Sequence, residues 1–123
     1  MVEEAMRFYR EGVNCALCII KAAQKKGYIK SAKDLENATE AITGGFGYGG
    51  LCSAIAGAML VFGIIFDPDE ARNIRTRLLF EFEARFNTLN CGRLTERYCA
   101  CEEIICFTAL KTEELIIEFR EGL

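Results

Sequence analysis

The residues best equipped for chemistry in this 123-residue chain are its seven cysteines, at positions 15, 18, 52, 91, 99, 101 and 106. Histidine is absent, which removes the usual general base at neutral pH and the mixed Cys/His zinc sites. Chemistry near pH 7 therefore falls to thiols, which as thiolates exchange disulfides or ligate metals. The chain starts MVEEAMRFYREG, acidic and amphipathic where a secretory leader is basic and then apolar. We therefore expect a cytoplasmic protein. In that reducing setting an odd set of cysteines points to thiol chemistry or metal binding more than to structural disulfides.

Three of the cysteines stand where helices should begin. Cys15 follows Asn14, a good N-cap; Cys52 opens an apolar segment; Cys101 opens the last amphipathic one. A helix N-terminus offers partial positive charge and unpaired N–H groups, both of which favour thiolate over thiol. Cys91, beside Gly92, follows a predicted helix end and joins them if the fold brings these points together. Cys15-Ala16-Leu17-Cys18 is a C-x-x-C with both thiols on one helix face, as in redox pairs. No histidine follows it, so covalent haem attachment is excluded, and there is no second C-x-x-C to make a zinc ribbon. Cys106 lies within an apolar stripe and reads as a small packing hydrophobe.

The stretch GGFGYGGLC, residues 44–52, holds five of the eleven glycines. Gly45-x-Gly47-x-x-Gly50 satisfies the dinucleotide fingerprint formally, but that pattern has meaning only between a strand and a helix, and the preceding segment reads as helix. No Gly-Lys-Ser/Thr follows to make a phosphate loop of the other kind. Five glycines exceed what a turn needs. They suit a backbone cradle, Gly45, Gly47, Gly49 and Gly50, that approaches Cys52 closely.

Other functions lack a footprint. Formal charge is −3, with Lys and Arg scattered, which predicts no nucleic-acid partner. The longest apolar run, Leu51 to Phe66, is broken by Ser53, Gly57 and Gly63 and falls short of the ~20 residues a spanning helix needs, so no membrane partner is expected. Acids such as Glu81 and Glu83 read as a solvated helix face rather than a catalytic pair.

The elements that must position the cysteines are helical throughout. Helices are predicted over 2–12, from Asn14 to Gly27, and from the Ser31/Asp34 cap to Gly44. A fourth runs from about Leu51 to Ile65. Asp67-Pro68-Asp69-Glu70 starts the next, with Ile74, Leu78, Leu79, Phe82 and Phe86 inward, stopping near Asn87 to Asn90. An irregular segment with Cys91, Cys99 and Cys101 leads to a last helix over about 102–120. The chain reads as all-α: one domain over residues 1–123, a bundle of five or six helices with a glycine-rich loop before an apolar central helix. Gly57/Gly63 and Ala54/Ala58 suit close helix packing, within the chain or across a homodimer.

Asn14-Cys15-Ala16, Gly44-Gly45-Phe46-Gly47, Cys52-Ser53-Ala54-Ile55-Ala56-Gly57, Leu89-Asn90-Cys91 and Cys101-Glu102-Glu103-Ile104-Ile105, in that order, resemble the C_GCAxxG_C_C family of redox-active proteins. The resemblance covers about residues 8–106. It implies a small helical cytoplasmic protein, redox-active through four spaced cysteines, here Cys15, Cys52, Cys91 and Cys101. Ser53 beside Cys52 departs from the motif's glycine next to cysteine, and Cys99 competes with Cys101 for the last position, which the following Glu-Glu-Ile-Ile assigns to Cys101.

Three functions follow. The first is thiol–disulfide or electron-transfer chemistry as a thiol-dependent oxidoreductase, with a low-pKa thiolate at Cys15 or Cys52, a neighbouring cysteine resolving, and a redox protein or small thiol as partner. Cys18 and Cys99 are its secondary candidates. The second is a metal site on Cys15, Cys52, Cys91 and Cys101, holding an iron–sulfur cluster or zinc as cofactor. The third is a non-catalytic helical interaction protein whose cysteines only pack.

Overall fold

The computed structural model describes residues 1–31, 33–97 and 101–121. They form seven α-helices: α1 (Val2–Arg10), α2 (Cys15–Lys25), α3 (Lys33–Ala38), α4 (Ser53–Ile65), α5 (Pro68–Phe86), α6 (Cys91–Arg97) and α7 (Glu102–Arg120). The fold is all-helical, and the helix count exceeds the five or six read from the sequence. The added helix is α6, over residues expected to be irregular. Asn90 starts it, its Oδ1 accepting the Arg93 N–H at 3.0 Å.

Local signals account for most boundaries. Asn14 Oδ1 accepts the Leu17 N–H at 2.9 Å and begins α2. Asp67 Oδ1 accepts the Glu70 N–H at 2.9 Å, and Pro68 follows where its missing N–H costs nothing, beginning α5. Asn87, at φ 64°, ends α5 in the left-handed conformation that asparagine tolerates. The third predicted helix is shorter than expected, because Thr39–Ile42 tighten into a 3₁₀ turn.

The helices share one core. Ile74, Leu78, Phe82 and Phe86 recur every fourth residue and bury one face of α5; Ile104, Ile105, Ala109, Leu115 and Ile116 do so on α7. The apolar helix α4 lies in the middle, touching α2, α5 and α7. Its first turns are buried all round from Ser53 to Ala58, while Leu60, Gly63 and Ile64 face outward. Burial of that first half fixes the depth of Cys52. Among the described residues, no helix is long and apolar enough to cross a membrane.

The tightest approach is between α4 and α2. A β-carbon built on Gly57 would stand 2.4 Å from the Ala16 carbonyl oxygen and 2.8 Å from its Cα. Gly57 is thus the seat on which the start of α2 rests. Gly63 has open space around it, so of the two glycines Gly57 alone makes a close contact within the described residues.

Candidate functional site

Four cysteines stand at four helix starts. Cys15 is the first residue of α2, Cys52 immediately precedes α4, Cys91 is the first residue of α6, and Cys101 immediately precedes α7. Each is tied by its surroundings. The Asn14 cap beside Cys15 also donates from Nδ2 to Thr39 Oγ1 at 3.1 Å. The Cys52 N–H donates to the Leu89 carbonyl at 2.9 Å, and the Cys91 N–H to the Gly50 carbonyl at 2.6 Å. Between those two bonds Leu51 and Asn90 form an isolated antiparallel bridge. The Cys101 N–H donates to the Tyr9 hydroxyl at 3.2 Å, which joins the end of α1 to the start of α7.

The glycine-rich stretch packs on Cys91 more than on Cys52. Gly44, Gly45, Phe46, Gly47 and Gly49 all have positive φ, and Gly50 N–H closes the turn onto the Gly45 carbonyl at 2.7 Å. A β-carbon on Gly45 would lie 2.6 Å from the Cys91 β-carbon; one on Gly49 would meet the Gly92 Cα at 3.4 Å. Around Gly47 there is open space, and Gly50 faces the Tyr48 ring. Ser53 anchors the turn to α4: its hydroxyl donates to the Ile42 carbonyl at 2.6 Å and accepts the Gly45 N–H at 3.3 Å.

Within the cluster Cys15 and Cys101 interact, each being the largest influence on the other's ionisation. That interaction holds the Cys101 thiol down at about 7, against partial burial, while Cys15 is pushed far up by the same interaction and by burial. Burial raises Cys52 to about 11, although the Ala54 and Ile55 amides at the start of α4 pull the other way and the Cys91 and Cys101 charges add to the rise. Cys91 is also raised, by burial and by the charge on Cys101. The acidic ionisation therefore belongs to the Cys15–Cys101 pair, and Cys52 is raised. Helix position alone does not decide ionisation here, because burial outweighs the helix-start amides at Cys52.

Cys18 and Cys106 have surroundings of their own. Cys18 is fully buried, its S–H donating to the Val13 carbonyl at 3.3 Å, and burial raises it to about 12 despite the Lys21 charge. The C-x-x-C thiols thus have different partners, and Cys15 turns to the far end of the chain. Cys106 is half-buried on α7, beside a cavity of about 550 Å³ shared with Met1, Met6, Lys26 and Glu113. Cys99 lies outside the described residues. Among the described residues no three cysteine, aspartate or glutamate side chains converge so as to hold a metal ion. The sulfurs share a neighbourhood rather than a common centre.

Two supports of the site carried little signal in the sequence, and a third carried one. Tyr9 looked like part of an amphipathic stripe, and nothing local links it to Cys101. Ser53 looked like an interruption of an apolar run. Asn90 did carry a signal, a capping side chain three residues before Arg93.

A family model described as "Putative redox-active protein (C_GCAxxG_C_C)" matches residues 13–115. In the register of Ala54-Ile55-Ala56-Gly57, its GCAxxG reads here as Cys52-Ser53-Ala54-Ile55-Ala56-Gly57. Cys52 thus stands one residue before the signature's cysteine, whose place Ser53 fills. The signature's final glycine is Gly57, the seat of α2. No curated protein and no solved structure matches the chain.

Proposed function

The chain belongs to the C_GCAxxG_C_C family, and from that premise we propose that it is a thiol–disulfide redox protein whose reactive dithiol is Cys15 and Cys101. The observation that carries the reading is the coupling of these two thiols at the starts of α2 and α7, which lowers one ionisation of the pair and raises the other. A two-sulfur contact is the unit of a disulfide, and a thiol that ionises near neutral pH is the form that attacks one.

The exchange balances without a cofactor. Cys101 thiolate attacks one sulfur of a partner's disulfide, forming a mixed disulfide and expelling the other partner sulfur as a thiolate, which takes up a proton. Cys15 then gives up its proton and attacks the Cys101 sulfur, expelling the partner's second sulfur. The partner is reduced by two electrons and Cys15–Cys101 is oxidised. A small disulfide or a redox protein serves as partner, and a reducing, cytoplasmic setting would return the pair to the dithiol. Cys18, buried and bonded to Val13, is assigned a packing role.

Mild oxidation followed by alkylation and peptide mapping tests this. A Cys15–Cys101 disulfide with Cys18 still reduced and free is expected. Absence of any disulfide joining those two overturns the reading. So does anaerobically purified protein carrying iron or zinc that disappears when Cys15 and Cys101 are replaced, which would make the cluster a metal site instead.

A further inference from the structure

We infer that the cleft between α1 and α7 is a separate reaction site, in which Cys106 exchanges with the disulfide of a short peptide thiol whose sulfur lies between a free amine and a free carboxylate. The inference does not rest on the dithiol at Cys15 and Cys101. It assigns a ligand to a cavity and a thiol which that dithiol does not use.

Two hydrogen bonds fix the layout of the cleft. The Tyr9 hydroxyl accepts the Cys101 N–H at 3.2 Å, and the Met1 amine donates to Glu113 Oε1 at 2.9 Å. Helix α1 therefore runs antiparallel to α7, which sets Cys106 opposite the middle of α1. Met6 and Cys106 accordingly share the wall of one cavity of about 550 Å³, a volume suited to a small molecule. Cys106 is half-buried there, whereas Cys18 is fully buried in the core.

Charge is disposed on either side of that thiol. Glu3 and Arg10 both line the cavity, one toward each end of α1, with Met6 between them. Seven residues of helix place them about 10 Å apart along the axis, which is the reach of an extended tripeptide. Among the described residues neither side chain has an ion pair or hydrogen bond, so an acid and a base of the wall are both open to a ligand. Glu113, by contrast, is held by the Met1 amine and the Tyr28 hydroxyl. Lys26 stands at the Glu113 end, 3.8 Å from that carboxylate. A peptide with its amine at Glu3, its carboxylate at Arg10 and its sulfur midway meets all three groups at once. A second carboxylate beside the amine, as in a γ-glutamyl peptide, falls to Lys26. In the exchange Cys106 loses its proton and attacks one sulfur of the peptide disulfide. The peptide S–S bond breaks, a Cys106–peptide disulfide forms, and the released peptide thiolate takes up a proton. The peptide disulfide is the oxidant, and nothing else is consumed.

The test treats the reduced full chain with oxidised glutathione, alkylates the thiols that remain, and locates the glutathionyl group by fragmenting the tryptic peptide that ends at Lys111. The adduct should stand on Cys106. Glu3→Ala and Arg10→Ala, both at exposed positions, should each slow its formation about twofold to fivefold, the factor an exposed ion pair supplies. Neither should change the rate at which Cys106 reacts with hydroxyethyl disulfide, a small disulfide without charge. Glutathionylation that spares Cys106 overturns the inference. So does an adduct whose rate neither variant lowers, or one that both variants lower equally for the two disulfides, since Cys106 would then be no more than an accessible thiol. The adduct should also persist in folded Cys101→Ser, where the Cys15–Cys101 disulfide cannot form, and its loss there would overturn a separate site; if that variant does not fold, the parent chain and the two charge variants decide alone. Failure at Cys106 with Cys15–Cys101 still forming leaves the first reading standing.

Discussion

Gly57 and Ala16 touch backbone to backbone: any β-carbon at position 57 would lie 2.4 Å from the Ala16 carbonyl oxygen. Because Ala16 directly follows Cys15, this contact between α4 and α2 sets how deep the thiol of Cys15 sits. The glycine at the end of the family signature is thus a spacing device for a cysteine on another helix.

Gly57→Ala should therefore destabilise the protein by about 1–3 kcal/mol, the usual cost of overpacking a filled interior, and should slow formation of the Cys15–Cys101 disulfide. Gly63→Ala, six residues along the same helix and with open space around it, should be neutral or stabilising by up to about 1 kcal/mol. Denaturant unfolding of both variants, with thiol trapping, makes the comparison. Equal effects would mean that the approach to Ala16 plays no part.

Ionisation of Cys101 should be visible in the ultraviolet thiolate absorbance of the reduced protein. With the pKa of Cys101 lowered from the ordinary 9 to about 7 by its coupling to Cys15, the Cys15–Cys101 pair should carry far more thiolate at pH 7 than the about 1% of an unperturbed cysteine. Cys15→Ala removes the coupled thiol and should move the midpoint up toward 9. The effect on stability has a definite sign. Cys101, depressed in the folded state, contributes stability that is complete above pH 9 and fades as pH falls through about 7. Cys15, raised in the folded state, contributes stability that is complete below 9 and is lost as pH climbs above it. On these two groups, reduced protein should resist urea best near pH 9.

Gly45 and Gly47 separate conformation from contact. Both have positive φ, 63° and 82°, so either substitution to alanine costs about 1–2 kcal/mol in backbone strain. Only at Gly45 does the new methyl also strike the Cys91 β-carbon. Gly45→Ala should change the alkylation rate of Cys91 severalfold, and Gly47→Ala should not. If both variants leave Cys91 untouched, the glycine turn is a connector and nothing more.

Tyr9→Phe removes the acceptor of the Cys101 N–H and should cost about 0.5–1.5 kcal/mol of stability. The thiolate midpoint of Cys101 should stay where it is, since Tyr9 holds the amide and not the sulfur. A shifted midpoint would make Tyr9 part of the thiol's own hydrogen bonding.

Local signals in the sequence carried the frame further than the chemistry. Asn14, Asp67-Pro68 and the apolar stripes placed six helices, because a cap or a 3.6-residue period depends only on neighbours along the chain. Helix α6 escaped notice because seven residues with Gly92 in the first turn show little periodicity, and only Asn90 announced it. The cysteines at helix starts were legible too, but which of them ionises was not. That depends on burial and on a partner from the other end of the chain. The C-x-x-C motif pointed from Cys15 to Cys18, whereas the contact runs from Cys15 to Cys101.

The burial of Cys18 has a meaning for the order in which the chain is made. On a ribosome Cys15 and Cys18 emerge together, long before Cys101 exists, and a disulfide between them is the one that forms most readily by proximity. Docking the Cys18 thiol against the Val13 carbonyl inside the nascent helical core withdraws it from that reaction. Cys15 is then left for a partner that emerges 86 residues later in the chain, after α4 and α5 have been made.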